Sequence, residues 1–364
     1  MNHKNNITSL NLIISGLMFS IGWFSLRFSF TLLAVKYGFS YYDVGLFGVL
    51  FALPLIAVSL FQFRLNIDRV SREIRVASAG LFLVGLLFCF DDRTIFSLLI
   101  AAANILQAFY WIGTEISLSY MEDKKAAEKY SASWGIIGFV APLASGAVLQ
   151  LIGFRWLFFI SAIAFLVSYI FTPRNFRRIE RSVSSRPRIF YILPLLFTGI
   201  SIGFYVYIFI PYLAKLGLNY LAIGFASALP AFASAVAFAV LNFTKERHIR
   251  HTSAVSSILL SAPVFLFLFH DLWFVVVTLS VSEIGASLAF TKILAYITST
   301  SSPATGVFYY ESFFSIGLII GSAGGGSLFQ SVGFYSVIPL FIIPLIFVMS
   351  AEAIHHGTRG RAAI

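Results

Sequence analysis

Long, unbroken apolar runs follow one another along the whole chain, and they restrict its fold more than any other feature. Hydrophobic residues make up 59% of the 364 residues, charged residues make up 11%, and the mean hydropathy is +0.90. A soluble domain carries about 25% charged residues. Because a bilayer offers no hydrogen bonds to the backbone, only helices and closed barrels cross it, and continuous rather than alternating apolar residues favour helices. The sequence predicts an all-α, multi-pass membrane protein.

Twelve runs have the length of a membrane span. They cover residues 9–35, 41–63, 74–90, 94–120, 131–152, 156–172, 190–214, 218–243, 252–270, 273–297, 307–330 and 335–354.

The first run follows Lys4 as a signal peptide would, but it lacks a small-x-small cleavage site, so we interpret it as a retained helix. The single Cys89 excludes an internal disulfide and a cysteine-based metal cluster.

The basic residues are distributed unevenly between the connections. The formal net charge is +10, and with the N-terminus placed inside, 19 of the 25 Lys and Arg residues fall on the cytoplasmic side and 4 fall outside. Cytoplasmic loops of membrane proteins carry such an excess. We therefore expect a cell-membrane protein with both termini in the cytoplasm. The charge indicates contact with anionic membrane lipid rather than a nucleic-acid partner.

The second half of the chain repeats short motifs of the first half, in three registers with offsets of 179, 176 and 180. The matches are Lys36, Gly38, Tyr41 and Gly45 with Lys215, Gly217, Tyr220 and Gly224; Ala52-Leu53-Pro54 with Ala228-Leu229-Pro230; and Tyr130, Gly146, Gln150 and Gly153 with Tyr310, Gly326, Gln330 and Gly333. Duplication predicts two six-helix bundles related by a pseudo-twofold axis, residues 1–172 and 190–364, with a cytoplasmic linker at 173–189. Two such halves can rock about a site held between them.

The connection after the second run contains Asp68-Arg69-Val70-Ser71-Arg72. It resembles the G-x-x-x-D-R-x-G-R-[KR] motif of the major facilitator superfamily at Asp68, Arg69 and Arg72, while Arg64 and Ser71 stand in place of its glycines. The resemblance implies the twelve-helix fold of that family, in which the aspartate lies against the amino end of the eleventh helix and helps to close the cytoplasmic side. A carboxylate suits a helix amino end because unpaired N–H groups point toward it. The alternative is a charged turn that only ends a helix.

The fifth run contains Ala141-Pro142-Leu143-Ala144-Ser145-Gly146, which resembles the G-P-x-x-G-G pattern of exporters in the same family. The resemblance favours export of a hydrophobic or amphipathic compound over uptake of a metabolite. Small residues let helix backbones approach and slide, as a rocking interface requires, and ordinary helix packing explains them equally well.

Excluding the helix ends, four charged residues lie inside the predicted helices: Arg27, Glu115, Glu283 and Lys292. A charge at this depth normally faces water, a partner or a substrate, because its burial is costly. Glu283 lies about halfway along its helix, so we expect it to gain and lose a proton as access alternates and to couple H⁺ to transport. The alternative is a carboxyl group that only hydrogen-bonds a neighbouring helix. Lys292 falls on the opposite side of the same helix.

Arg27 is expected to hold an anionic or polar group of the substrate, to pair with Glu283, or to extend to the outer surface. Glu115 lies near the cytoplasmic end of its helix, where we expect a gate contact with Arg69 or Arg72. The residues expected to form the substrate or proton pathway are Glu283, Arg27, Trp23, Asn104, Trp111 and Tyr205, and those expected to form the cytoplasmic gate are Asp68, Arg69, Arg72 and Glu115.

Together these features predict a secondary active transporter that moves a small-molecule substrate by alternating access. No G-x-x-x-x-G-K-[ST] pattern is present, so an ion gradient, with H⁺ as the coupling ion, is expected to replace ATP. We expect a monomer without cofactor or metal, and no enzyme activity, because the helices carry no pair of His or acidic residues at metal-ligand spacing. The alternative is a sensor or assembly protein on a transporter-like fold that moves nothing.

Overall fold

The computed structural model describes residues 2–62, 67–90, 92–119, 126–174, 191–242, 249–300 and 303–361, and all regular structure within these ranges is helical. The α-helices are α1 (Asn2–Lys36), α2 (Tyr41–Gln62), α3 (Ile67–Phe88), α4 (Arg93–Ser119), α5 (Ala126–Leu151), α6 (Phe154–Phe171), α7 (Leu193–Phe204), α8 (Ile210–Lys215), α9 (Tyr220–Asn242), α10 (Ile249–Leu260), α11 (Leu272–Thr300), α12 (Pro303–Ile319), α13 (Gly325–Val332) and α14 (Val337–Arg361). Two π-helical segments, Tyr205–Phe209 and Ile320–Gly324, join α7 to α8 and α12 to α13, and two 3₁₀ segments are Ala262–Phe267 and Gly333–Ser336.

Nine stretches of the described residues are long and apolar enough to cross a bilayer. The ninth, Thr305–Ser350, has 46 residues and extends from α12 into α14. Two predicted spans fall outside the nine: α3 carries a cluster of charges in its first turns, and the apolar stretch Ser253–Phe267 is short. The prediction of an all-α, multi-pass membrane protein is confirmed, whereas the number of twelve spans stays a prediction.

Four tight turns mark one end of the bundle, which we call the turn end. They contain Gly38, Gly153, Gly217 and Gly333, whose φ angles are 82°, 86°, 80° and 59°. Glycine is favoured there because a side chain strains a positive φ. Gly38 and Gly217 are equivalent in the sequence repeat, as are Gly153 and Gly333, so the repeated motifs adopt the same backbone geometry.

The two copies of the repeat touch through reciprocal contacts at the turn end. A Cβ atom at Gly146 in α5 would lie 2.5 Å from the carbonyl oxygen of Tyr220, and one at Gly326 in α13 would lie 2.5 Å from that of Tyr41. Tyr41 and Tyr220 are equivalent in the repeat, and so are the two glycines. Exchanged contacts of this kind are what a twofold relation produces.

The same exchange extends to the hydrogen bonds beside these glycines. The Oε1 atom of Gln150 accepts a hydrogen bond from the backbone N–H of Tyr220 at 3.2 Å, and the Oε1 atom of Gln330 accepts one from Tyr42 at 3.2 Å. The two glutamines are equivalent in the repeat. The close contacts therefore lie at matching places along α5 and α9 and along α2 and α13.

Two stretches are more deeply enclosed than the other candidate spans. In the most apolar part of Leu193–Lys215, 94% of the residues are buried inside the bundle, and in that of Leu10–Lys36, 72% are buried. In the other candidate spans, 28–50% of these residues are buried. Helix α7 is drawn close to α12 because Gly203 leaves room for the carbonyl of Leu318, which would lie 2.8 Å from an added Cβ atom. The α7–α8 stretch and α1 therefore form the interior of the bundle.

We predict that Gly146→Ala lowers the free energy of unfolding by about 1–3 kcal/mol, because the added methyl group meets the backbone of α9. Gly138→Ala is the matched control on the same helix, since no atom lies within 4 Å of its Cβ position. That control should be neutral or stabilising by up to about 1 kcal/mol, from helix propensity. The measurement is denaturant or thermal unfolding in detergent, and equal stabilities of the two variants would contradict the close contact.

Candidate functional site

Two opposite charges lie on interior-facing parts of the two repeat copies. Arg27 lies on α1, and Glu283 lies near the middle of the candidate span Leu272–Ile293 on α11. Both side chains are partly buried. They interact electrostatically, yet within the described residues no carboxylate oxygen lies within 4.0 Å of the Arg27 guanidinium. The two charges therefore attract one another without closing into a direct ion pair.

The Arg27 guanidinium is bordered by aromatic rings. Its Cζ atom lies 5.4 Å from the ring centroid of Phe24 and 6.0 Å from that of Phe51. Trp23, which is buried, stacks on Phe51 with a centroid distance of 5.9 Å. Ring faces attract a cation, so these contacts hold the guanidinium while its N–H donors stay available for an anionic or polar group.

Serine hydroxyls fix the height and rotation of α11 around Glu283. Ser282 hydrogen-bonds Ser201 of α7 at 2.6 Å, and its Oγ atom also donates to the carbonyl of Leu260 at 3.2 Å. Ser287 hydrogen-bonds Ser234 of α9 at 2.7 Å. Because these bonds lie on both sides of Glu283 along the helix, its carboxyl group is held in a defined position relative to α7 and α9.

The π-helical segment Tyr205–Phe209 presents two buried tyrosines to this region. Pro211 has no N–H to donate to the carbonyl of residue 207, which favours a local change of register, and such π segments are frequent at functional sites. The hydroxyl of Tyr205 donates to the carbonyl of Ser227, while the hydroxyl of Tyr207 is buried without a partner in the described residues. Both tyrosines interact electrostatically with Arg27.

Several other buried polar groups have no partner within the described part of the chain. They belong to helices of both copies and are Ser20 Oγ, both amide atoms of Asn104, both amide atoms of Gln107, and Ser227 Oγ. Asn104 and Gln107 are 0% exposed. Since nearly all buried polar atoms in proteins are hydrogen-bonded, buried amide groups without a protein partner are suited to bind a polar solute or water.

A second polar cluster lies toward the end of the bundle opposite the turn end. The indole Nε1 of Trp111 donates to Glu115 Oε1 at 2.9 Å, and the carboxyl group of Glu115 lies in hydrogen-bonding contact with that of Glu311 on α12. Sequence reasoning missed Glu311, because the eleventh run was predicted to start at residue 307 and the glutamate was taken as part of a helix end. Helix α12 starts at Pro303, so Glu311 is eight residues inside it.

A continuous line of aromatic contacts connects the two clusters. Phe24, which borders Arg27, lies 5.7 Å from Trp134 between ring centroids. Trp134 lies 5.5 Å from Trp111, whose indole bonds Glu115. Trp134 also packs on Phe238 of α9 and Phe290 of α11. The rings separate the central charges from the carboxyl pair and join the two repeat copies.

The predicted gate motif is only partly covered by the described side chains. Asp68 lies outside the described side chains, and Arg69 and Arg72 are exposed. The hydroxyl of Ser71, between them, donates to the carbonyls of Pro173 and Arg174, and the guanidinium of Arg75 donates to the hydroxyl of Tyr169 at 3.1 Å. These bonds join the start of α3 to the end of α6, and the gating role of the motif stays a prediction.

The described residues that could ligate a metal do not assemble. The searched part of the chain contains no group of three or more His, Cys, Asp or Glu side chains placed to hold one ion.

Comparison with known proteins identifies the family. The family model of the Major Facilitator Superfamily matches residues 12–241. No curated protein matches the chain in sequence. Its fold is similar to the crystal structure of the human organic anion transporter MFSD10 (TETRAN), with a TM-score of 0.66 and 13% identity, over 94% of this chain and 99% of that chain. The chain belongs to the Major Facilitator Superfamily of membrane transporters.

Proposed function

We propose that this protein is a secondary active transporter that exports a small amphipathic solute by alternating access, with H⁺ as the coupling ion. Twelve spans form two six-helix bundles, residues 1–172 and 190–364, and the linker at 173–189 joins them. The reciprocal glycine and glutamine contacts between α5 and α9 and between α2 and α13 support this division. Rocking at these two interfaces exposes the central site to one face at a time.

The observation that carries the proposal is the separated pair of opposite charges in the interior. Arg27 belongs to the first bundle and Glu283 to the second, and they attract one another without a direct ion pair in the described residues. The buried hydroxyl of Tyr207, which has no partner in the described residues, interacts electrostatically with Arg27. A solute that bridges the two charges contacts both bundles at once, so its binding favours their closure.

The lining of the site indicates an amphipathic solute with an anionic group. Trp23, Phe24 and Phe51 offer apolar and aromatic surface beside the Arg27 guanidinium, which offers N–H donors to an anion. The structurally similar human protein is described as an organic anion transporter. Its description supports the same class of solute here.

Proton coupling is assigned to Glu283 because its carboxyl group faces Arg27 across the site. A protonated carboxyl leaves Arg27 free for the anion, whereas an ionised one competes with the anion for the same guanidinium. Proton and solute thereby exchange in one site. Export rather than import follows from the resemblance of residues 141–146 to the exporter pattern.

We predict that the turn end faces the outside of the cell, with both termini in the cytoplasm. In a Cys89→Ser background, Leu151→Cys, at a position 80% exposed at the turn end, should react with a membrane-impermeant maleimide added to intact cells. The background variant without Leu151→Cys is the control. Labelling that requires permeabilised cells would contradict this orientation.

We predict that Glu283→Gln abolishes solute accumulation driven by an imposed pH gradient in proteoliposomes while leaving solute exchange across the membrane. The neutral amide keeps the size of the side chain but cannot release a proton. The matched control is Asp271→Asn, an exposed acid at the start of α11. Gradient-driven transport at the wild-type level in Glu283→Gln would refute the coupling role, and a wild-type protein that moves no solute at all would favour the sensor function.

We predict that Arg27→Gln weakens binding of an anionic solute by about 10–100-fold, the loss expected when a hydrogen bond to a charged group worth about 1.5–3 kcal/mol is removed. Arg27→Lys should retain part of the affinity because it keeps the charge but not the planar fork. Lys292→Gln is the matched control, since Lys292 is also a partly buried cation. Affinity is measured by ligand-dependent thermal shift on purified protein with a panel of amphipathic anions and cations. A preference for cations that survives Arg27→Gln would contradict the anionic class.

A further inference from the structure

Two amide side chains lie on the side of α4 that faces the interior, and we call Asn104 and Gln107 the amide pair. Both residues are 0% exposed. The other side of the helix carries Leu98 and Ile105, which are 70% and 47% exposed. At about 100° per residue, the two amide-bearing residues lie about 60° apart around the helix. They are therefore neighbours on one interior face.

The amide pair has no hydrogen-bond partner in the part of the chain that the structure describes. The oxygen and the nitrogen of both side chains are buried, and none of these atoms is paired there. A buried amide that has given up its hydrogen bonds to water destabilises a fold, and nearly all such groups in proteins are paired. Two adjacent unpaired amides indicate a partner that is not part of the chain.

The position of the amide pair relative to Arg27 follows from a contact between α1 and α4. The rings of Phe19 on α1 and Tyr110 on α4 stack with their centroids 3.5 Å apart, which relates the heights of the two helices. Phe96, in the first turn of α4, packs on Tyr37, which follows the last residue of α1, with centroids 5.2 Å apart. The two helices therefore run in opposite directions between the turn end and the stacked rings.

Heights along the bundle can be counted from the stacked rings at a rise of about 1.5 Å per residue. Toward the turn end, Gln107 lies about 4.5 Å, Asn104 about 9 Å and Arg27 about 12 Å from that level. The hydroxyl of Ser20, seven residues before Arg27 on the same face of α1, is also buried without a partner in the described residues. Polar groups thus continue from the guanidinium along the interior, away from the turn end.

The chemistry of the amide pair selects a neutral group that has both a donor and an acceptor. Each side chain presents two N–H donors and one carbonyl acceptor and carries no charge. A secondary amide, a carbamate or a urea offers an N–H and a carbonyl side by side, so it can pair with both kinds of atom. An ester offers acceptors alone and a hydrocarbon chain offers neither, so both leave buried amide atoms unpaired.

We propose that Asn104 and Gln107 form a subsite that binds a neutral amide-like group of the solute, at a place separate from the anion site at Arg27. The inference rests on the proposed transport of an amphipathic anion and narrows its substrate class to anions that carry an amide, carbamate or urea group. A solute without that group leaves the amide pair buried and unpaired. Sites built to hydrogen-bond a substrate reject analogues that lack the bonding group more strongly than apolar pockets do.

The test compares matched probes on the purified protein in lipid nanodiscs. N-octanoyl conjugates of glycine, β-alanine and γ-aminobutyrate place an amide at three distances from a carboxylate, and unbranched fatty acids with the same number of chain atoms lack the amide. Ligand-dependent thermal shift gives the affinity for each probe. We expect the best conjugate to bind about tenfold more tightly than its matching fatty acid, the ratio that one or two additional hydrogen bonds produce.

Asn104→Leu and Gln107→Met keep the approximate size of each side chain and remove its hydrogen-bonding atoms. Each variant should reduce the preference for the conjugate to less than about threefold, and the double variant should bind conjugate and fatty acid equally. The ligand-free variants should also melt at a higher temperature than the wild type, because a buried polar group without a partner has been removed. Amides that only hold the fold together would give the opposite shift.

Gln150→Met is the matched control, since the Gln150 amide accepts a hydrogen bond from the backbone of Tyr220 at the turn end. It should keep the preference for the conjugate and should not melt at a higher temperature. Equal binding of conjugates and fatty acids by the wild type, with both lost in Arg27→Gln, overturns the subsite and leaves the anion site standing. Lower melting temperatures in both Asn104→Leu and Gln107→Met also overturn it. Wild-type protein that binds neither class of probe contradicts the anionic solute of the proposed function, and the subsite with it.

Discussion

The cost of leaving a charged or amide group without a partner inside a membrane protein governs how this molecule is built. The structure holds its helices together with small residues and serine hydroxyls. Arg27 and Glu283 are kept near one another without a direct ion pair, and Asn104 and Gln107 are buried without partners in the described residues. A solute or water can supply the missing partner of such a group, which supports the proposed site in the interior.

The scaffold is repeated more faithfully than its charges. At the turn end, Gly38 and its repeat equivalent Gly217 have φ angles of 82° and 80°. At the offset of 180, however, Ala103 stands opposite Glu283, Ala295 opposite Glu115 and Ser131 opposite Glu311. Movement needs two similar halves, but a directed exchange of solute and proton needs different groups on its two sides. In the proposed mechanism, the duplicated part supplies the motion and the unrepeated residues supply the chemistry.

Sequence reasoning reached the parts of this structure that depend on local pattern. Apolar runs, repeated glycine turns and the interior charges Arg27 and Glu283 all follow from composition, periodicity and the cost of burial. The contact of Glu115 with Glu311 could not be predicted in the same way, because it joins residues 196 positions apart and depends on where α12 begins. The predicted contact of Glu115 with Arg69 or Arg72 stays a prediction, and the described partner of its carboxyl group is the indole of Trp111 on the same helix. Pro211 was the visible signal for the π segment at Tyr205–Phe209.

The aromatic line between the two clusters gives their separate chemistries a mechanical connection. Phe24 touches both the Arg27 guanidinium and Trp134, and Trp134 touches Trp111, which bonds Glu115. Aromatic side chains have few rotatable bonds, so a shift of α1 that repositions Phe24 is passed on as a displacement of whole rings rather than absorbed. If a displacement at Trp111 alters the affinity of the central site for its solute, linkage requires that solute binding alters the equilibrium at Trp111 by the same factor.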